Sequence, residues 1–286
     1  MHNVVRVAIQ GEDGSNSATA ARSLLGPDVP LLYCEKFQDA FDALDNGTAS
    51  QAVLPIENTT AGLIQPVWDR LLGITAAGPL AARAEARVRI GFVAAALPGS
   101  KEKVRKVLAH DVAKAQCHRF LQRSGWSVIP CHDTAGAARL VREQNDPSFA
   151  ALCPLPAARV HGLEVLNFDC GDSARTWTRF LLLERGVVTP QAGDNRSILI
   201  FSLRDKPGAL VQTLTCFARQ SLNLAAIHSR AVPGEPGQYR FFVELDVGAN
   251  NPGCLAALGE MGDIVTEVSI LGSYQTPEWP QNISER

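Results

Sequence analysis

The sequence predicts an α/β protein in two parts, a larger two-lobed region followed by a smaller C-terminal unit. Three observations carry this. Strand-like and helix-like segments alternate from residue 4 to about residue 185, the pattern of a mostly parallel sheet flanked by helices. Residues 186–195, which hold two glycines, a proline and an asparagine, then interrupt the pattern and read as a linker. Beyond the linker, residues 196–274 run strand, helix, strand, strand, helix, strand.

Taken in order, residues 4–9 are an apolar run that reads as a buried strand. It meets Gly11-Glu12-Asp13-Gly14-Ser15-Asn16-Ser17, and then a helical pattern at Ala18, Ala21, Leu24 and Leu25. A strand, a Gly/Ser turn and a helix start point backbone N–H groups and a positive dipole end the same way, which makes a cradle for an anion as well as an ordinary cap. Residues 37–44 read as helix. Residues 51–54 read as strand, ending in the polar cluster Pro55-Ile56-Glu57-Asn58-Thr59-Thr60-Ala61-Gly62, and 63–72 as helix with Trp68, Leu71 and Leu72 inward. Residues 76–80 are small and suit a crossing between lobes, which places lobe 1 at about 1–76 with 161–185 and lobe 2 at about 77–160. Val88, Ile90, Phe92 and Ala94 alternate, which predicts one strand over 87–96. Val104, Val107 and Leu108 suit a short helix. His110 reads as a cap before a single amphipathic helix carrying Ala113, Cys117, Phe120 and Leu121, with Cys117 in the core. A strand at 126–129, a helix over 135–141 capped by Asp133-Thr134, a strand at 149–153 and a helix at 155–160 complete lobe 2.

The next stretch is Arg175-Thr176-Trp177-Thr178-Arg179-Phe180, running into Leu181-Leu182-Leu183. In an extended chain Thr176, Thr178 and Phe180 share one face, and Arg175, Trp177 and Arg179 take the other. Ligands of open α/β sheets sit at the carboxyl ends of strands, where the turns at 11–17 and 55–62 lie. Thr178 is near the start of its strand, so it reaches those turns only if that strand runs antiparallel. In the C-terminal unit the strands fall at 197–203, 222–230, 239–247 and 264–271, with helices at 209–220 and 252–261 and a hairpin loop at 234–237. This β-α-β-β-α-β order is the ferredoxin-like arrangement. Residues 275–286 are polar and read as a loose tail.

Composition narrows the function. At 286 residues, 46% hydrophobic and 20% charged, the chain is an ordinary globular protein of two domains' length. A formal charge of −2 gives no electrostatic case for nucleic acid or an anionic membrane. The longest apolar runs are too short to span a bilayer, and the N-terminal residues lack a signal pattern, so a cytoplasmic protein is expected. Seven scattered cysteines without a CxxC pair point to reduced thiols, and six histidines without metal-ligand spacing imply no metal.

These pieces together resemble the prephenate dehydratases that carry a C-terminal ACT regulatory domain, over nearly the whole chain. The likeness rests on the Gly-rich turn 11–17, Leu54-Pro55-Ile56-Glu57-Asn58-Thr59, the helix start at His110 with Ala115-Gln116-Cys117, Asp133-Thr134-Ala135-Gly136, the signature Thr178-Arg179-Phe180 and Gly208-Ala209-Leu210-Val211. The chain departs from the family pattern at Asn16, Ala18 and Thr176, and its His228-Ser229-Arg230-Ala231 stands where Glu-Ser-Arg-Pro is usual. The resemblance implies a two-lobed catalytic domain like that of periplasmic binding proteins at 1–185 and an ACT domain at 196–274. It implies conversion of prephenate to phenylpyruvate with no cofactor. Thr178 would be catalytic, while Gly14, Ser15, Asn16, Ser17, Asn58, Thr59, Thr176 and Phe180 would hold substrate. Phenylalanine would bind at Gly208, Ala209, Leu210, Val211, Ser229 and Arg230, in a homodimer or homotetramer. Arg179 points away from Thr178 on an extended strand and is expected to be structural. Glu57, beside a dianionic substrate, is expected to accept backbone N–H groups, or to be a protonated acid if desolvated. Arogenate, the aminated analogue, is the alternative substrate, and a non-catalytic two-lobed sensor of small anions is the alternative class.

Overall fold

The computed structural model describes residues 6–73, 79–173, 175–232, 235 and 237–278. The parts of the expected crossing at 76–80, of the loop at 234–237 and of the tail that fall at 76–78, 234, 236 and 279–286 lie outside the described residues. Strand β1 (Val7–Gln10), fully apolar but for its last residue, is buried between β2 (Leu31–Cys34) and β3 (Gln51–Asn58), both parallel to it. Helix α1 (Asn16–Leu25) covers one face of this sheet through Ala18, Ala20 and Ala21, whose small side chains let it approach closely. Helix α2 (Phe37–Asp45) and helix α3 (Gln65–Leu72) cover the other face with Phe41, Leu44, Trp68 and Leu71. Each such large apolar side chain contributes roughly 1.5–3 kcal/mol on burial. The two-residue β4 (Gly62–Leu63) folds back on the end of β3.

Strand β5 (Leu80–Arg89) belongs to this first sheet, and β6 (Val93–Ala96) belongs to a second. The second sheet also contains β7 (Lys106–Ala109), β8 (Ser127–Pro130), β9 (Phe149–Cys153) and β10 (Glu164–Asn167), in the order β10-β6-β9-β7-β8. Helices α4 (Asp111–Gln116), α5 (His118–Ser124), α6 (Gly136–Gln144) and α7 (Leu155–Val160) surround it. The chain returns to the first sheet with β11 (Trp177–Arg185), which is antiparallel to both β3 and β5. The C-terminal unit comprises β12 (Arg196–Leu203), α8 (Ala209–Arg219), β13 (Leu224–Ala231), β14 (Tyr239–Leu245), α9 (Pro252–Met261) and β15 (Val265–Tyr274), in the expected order. Its sheet order β13-β14-β12-β15 is antiparallel throughout, with α8 and α9 on one face.

The other face of that C-terminal sheet docks on lobe 1. Phe242 of β14 stacks on Trp68 of α3 at 3.7 Å between ring centroids, and Trp68 donates to the Ile56 carbonyl. At Gly272 the strand β15 joins β5 in parallel, opposite Ala82, so that one ten-stranded sheet runs through both parts. A Cβ at Gly272 would lie 2.8 Å from that of Ala82, which is why the join takes glycine against alanine.

Several expectations are corrected. The sheets are mixed, not mostly parallel. The strand expected at 51–54 continues through Pro55, Ile56 and Glu57 to Asn58, so the turn begins only at Thr59. Pro55 is tolerated because β1 pairs no further than Val53 and a register shift on the β11 side leaves Ile56 unpaired there. The strand expected over 87–96 is two strands in different sheets, and the changes of lobe fall at 90–92 and 168–176, not near 77 and 160. Residues 104–108 lead into a strand, β7, and no α-helix, because the apolar part, Val107 to Ala109, is buried on both faces and too short to show a distinguishing period. The helix expected to run past Cys117 is broken there, where φ is −125°. Strand β10 was not foreseen.

Candidate active site

The alternation of β11 divides its residues as the sequence spacing predicts. Thr178 and Phe180 face a cleft between the two lobes, and Arg179 and Leu181 face the C-terminal unit. Because β11 is antiparallel to β3, its beginning lies beside the end of β3, and Thr178 pairs with Asn58 in register. The Asn58 side-chain oxygen accepts the amides of Thr60 and Ala61, both at 2.9 Å. Its amide nitrogen is thereby turned to donate to Thr178 Oγ1 at 2.8 Å, in a setting where both side chains are buried. With its oxygen accepting from Asn58, the threonine hydroxyl has its own proton to give.

The cleft has a volume of about 680 Å³. The α1 start supplies Ser15, Asn16 and Ser17. Ser15 caps the helix by accepting the Ala18 amide at 3.2 Å, while the first-turn amides have no intrahelical carbonyl to bond. Lobe 2 supplies His110, Val112, Gln116, His132, Asp133 and Thr134. His110 is the cap that its position suggests: Nδ1 accepts the Val112 amide at 3.2 Å, which in the neutral ring leaves the proton on Nε2. Asp133 Oδ1 accepts the amides of Ala135 and Gly136. Lys36 is the one lysine or arginine among the described lining residues, Glu35 and Asp133 bring carboxylates, and the other polar lining groups are amides, hydroxyls and imidazoles. Ile90, Phe92, Phe180 and Ile64 make the apolar wall.

Three residues expected in the site lie outside its lining. Gly14, at φ +78°, packs on α7 of the other lobe, where a Cβ would meet the Ala157 backbone at 2.5 Å. Thr59 accepts the Trp177 amide at 3.0 Å and closes the end of the β3–β11 pair. Thr176 meets Thr60 at 3.2 Å in an adjoining side pocket of about 300 Å³. In the C-terminal unit Gly208 starts α8 in the left-handed region, Ala209 is buried, Leu210 is half-buried and Val211 is exposed. Ser229 is exposed, and Arg230 is paired with Asp69 of α3. Lys36, His110, Gln116, His132 and Thr134 join the lining beyond the expected set: His110, Gln116 and Thr134 lie in motifs that carry the resemblance, whereas tertiary contact alone brings Lys36 and His132 to the cleft. The Cys117 thiol, pushed up to about 12 by burial, is a core group.

Behind the cleft lies an ionic cluster. Arg179 donates to Glu85 from Nε and Nη2 at 3.1 and 2.8 Å, to Glu244 from Nη1 and Nη2 at 3.2 and 2.8 Å, and to Glu57 from Nη1 at 2.8 Å. Burial opposes its charge, but the Glu85 and Glu244 carboxylates outweigh burial and raise its pKa. Burial likewise opposes ionisation of Glu85, and the Arg179 and Arg87 guanidiniums overcome it, holding Glu85 below its ordinary range. Arg179 is therefore structural, as its direction on the strand predicts. Glu57 accepts from the Arg179 guanidinium, in place of the backbone N–H groups expected for it. The lobes are also tied across the mouth of the cleft, where Arg139 of α6 donates to Glu12 at 2.8 and 2.9 Å.

Residues 7–187 match the family model described as prephenate dehydratase. The chain is 34% identical to arogenate dehydratase 2 of Petunia hybrida, over 94% of this chain and 71% of that protein. The structure of a prephenate dehydratase from Arthrobacter aurescens in complex with L-Phe is similar at a TM-score of 0.83 and 30% identity, covering 95% of this chain and 90% of that one. A structure described as GqqA, a novel type of quorum quenching acylase, is similar at 0.86 and 29%, covering 95% and 98%.

Proposed function

From its membership of the prephenate dehydratase family, to which this chain belongs, we infer that it is a carbon–oxygen lyase that converts prephenate to phenylpyruvate, carbon dioxide and water. The observation that carries the assignment of roles is the hydrogen bond from Asn58 to Thr178, which leaves the threonine proton for the cleft. When the ring carboxylate leaves as carbon dioxide, its bonding pair enters the ring and the hydroxyl at the opposite carbon departs with its own. That oxygen gathers negative charge and takes up one proton, supplied by solvent, as it leaves as water. Thr178 donates a hydrogen bond to it at the moment of departure, an interaction worth most where charge develops. Aromatisation supplies the driving force, so orientation and this one donor are the main demands on the protein.

The two substrate carboxylates are held by the α1 start at Ser15, Asn16 and Ser17 and by Lys36, where free amides and a cation meet an anion in a partly dry cleft. Phe180 lies under the ring. Gly14, Thr59 and Thr176 act at one remove, by holding α7, the end of the β3–β11 pair and Thr60. Arogenate differs only in bearing an ammonium on the side chain, and the Petunia relative's name makes it the second substrate to test. The C-terminal unit is an ACT regulatory domain. Phenylalanine binds it around Gly208, Ala209, Leu210 and Val211, with Ser229 and Arg230, between paired copies in a cytoplasmic dimer or tetramer. The L-Phe complex of the Arthrobacter protein supports an effector of this kind.

Incubation with prephenate and with arogenate, followed by absorbance of phenylpyruvate and by chromatography of phenylalanine, tests the assignment. Turnover of at least one is expected, and turnover of neither rejects it. Calorimetry with phenylalanine tests the effector: heat is expected from the full chain, and no heat removes the claim.

A further inference from the structure

We propose that Arg179 is a positioning residue through which the C-terminal unit sets the geometry of Thr178, with Glu244 of β14 as the connecting arm. This rests on the dehydratase reading above. Thr178 and Asn58 form the hydrogen bond on the cleft side of the sheet, and the residues next to them, Arg179 and Glu57, form an ion pair on its other side. The same two strands are thus joined front and back at adjacent residues. All five N–H groups of the guanidinium are engaged, and two of them go to Glu244, which is 1% exposed and comes from the C-terminal sheet. Bidentate geometry fixes direction as well as distance. A movement of β14 against lobe 1 therefore shifts the guanidinium, and with it the Arg179–Glu57 pair that backs Thr178 and Asn58.

The cluster is anchored on the third side too. Glu85 of β5 accepts from Arg179, from Arg87 at 2.7 Å and from the Tyr274 hydroxyl at 3.3 Å, and Tyr274 is the last residue of β15. Two strands of the C-terminal unit, β14 and β15, thus meet one guanidinium cluster directly behind the catalytic strand. A donor such as Thr178 is effective only within a few tenths of an ångström of the departing oxygen, so small shifts act on turnover more than on binding.

The test uses the full chain. Glu244→Gln keeps the shape of the arm and removes its charge. It is expected to lower kcat about ten-fold while KM stays within about two-fold, because the carboxylate-binding groups of α1 are untouched. Hydrogen exchange is expected to rise about ten-fold at residues 57–59 and 177–180, and not in β7 and β9 of the second lobe. Arg240→Gln removes another contact across the same interface, a donor to the Leu72 carbonyl, and is expected to leave kcat within about two-fold. Unchanged kcat in folded Glu244→Gln overturns the proposal. So does an equal loss in Arg240→Gln, which would assign the effect to docking in general. Should the wild-type chain turn over neither substrate, the dehydratase reading fails, and the exchange comparison still decides whether Glu244 holds the β3–β11 pair.

Discussion

The two faces of β11 carry opposite chemistry. On the cleft face Thr178 and Asn58 are neutral, and their bond leaves a proton to give. On the rear face Arg179 meets three carboxylates and has no donor to spare. A neutral hydroxyl can release its hydrogen bond to a departing oxygen without leaving a charge behind. A saturated, buried ion cluster cannot change partner without exposing uncompensated charge, so it holds position. Alternation along one strand separates the group that acts from the group that fixes it.

The comparison can be broken most severely at its front. Thr178→Val keeps the volume and removes the donor, and is expected to lower kcat by roughly 10²–10³ with an unchanged melting profile. Loss of stability in place of loss of turnover would reverse the roles given to the two faces. At the rear, Arg179→Met removes the cation that Glu57, Glu85 and Glu244 share, leaving Glu85 to Arg87 at 2.7 Å and Glu244 to Arg196 at 3.7 Å, and is expected to destabilise the fold by about 3–5 kcal/mol, read by denaturant titration. A shift under about 1 kcal/mol would mean that the carboxylates find other partners.

A smaller effect sharpens the front face. Asn58→Ala removes one donor to Thr178 and the acceptor for two hairpin amides, and is expected to lower kcat about ten-fold with about 1–3 kcal/mol of stability. The smallest effect is on pH. Burial against Phe242 lowers the pKa of His228 from its ordinary 6.5, so the unfolded chain binds that proton first. Its contribution to stability is full above 6.5 and declines as pH falls through the folded value. Glu85, held below its ordinary 4.5, adds stability that is full above 4.5 and is lost only at lower pH, as it protonates. Thermal melts from pH 8 to 4 should show the first decline, and His228→Phe should remove it.

Much of this was legible locally. The 2.0-residue period of β11, the Ser15 cap, the Gly/Ser turn and the strand–helix order of the C-terminal unit depend on neighbours in sequence, where backbone geometry is decided. Thr178, Ser15, Asn16, Ser17, Asn58 and Phe180 reach the cleft as expected. The short apolar run at residues 107–109 was not legible, because helix and buried strand make the same demand on it.

By itself the sequence determined which residues face together on each element, and therefore that Thr178 and Arg179 part company. Tertiary structure alone decided that β11 runs antiparallel to β3, that Lys36 and His132 join the cleft from distant segments, and that Glu244 arrives behind Thr178. The reason is physical. Periodicity follows from the dihedral angles of adjacent residues, whereas partners 65 or 120 residues apart are chosen by the packing of whole faces.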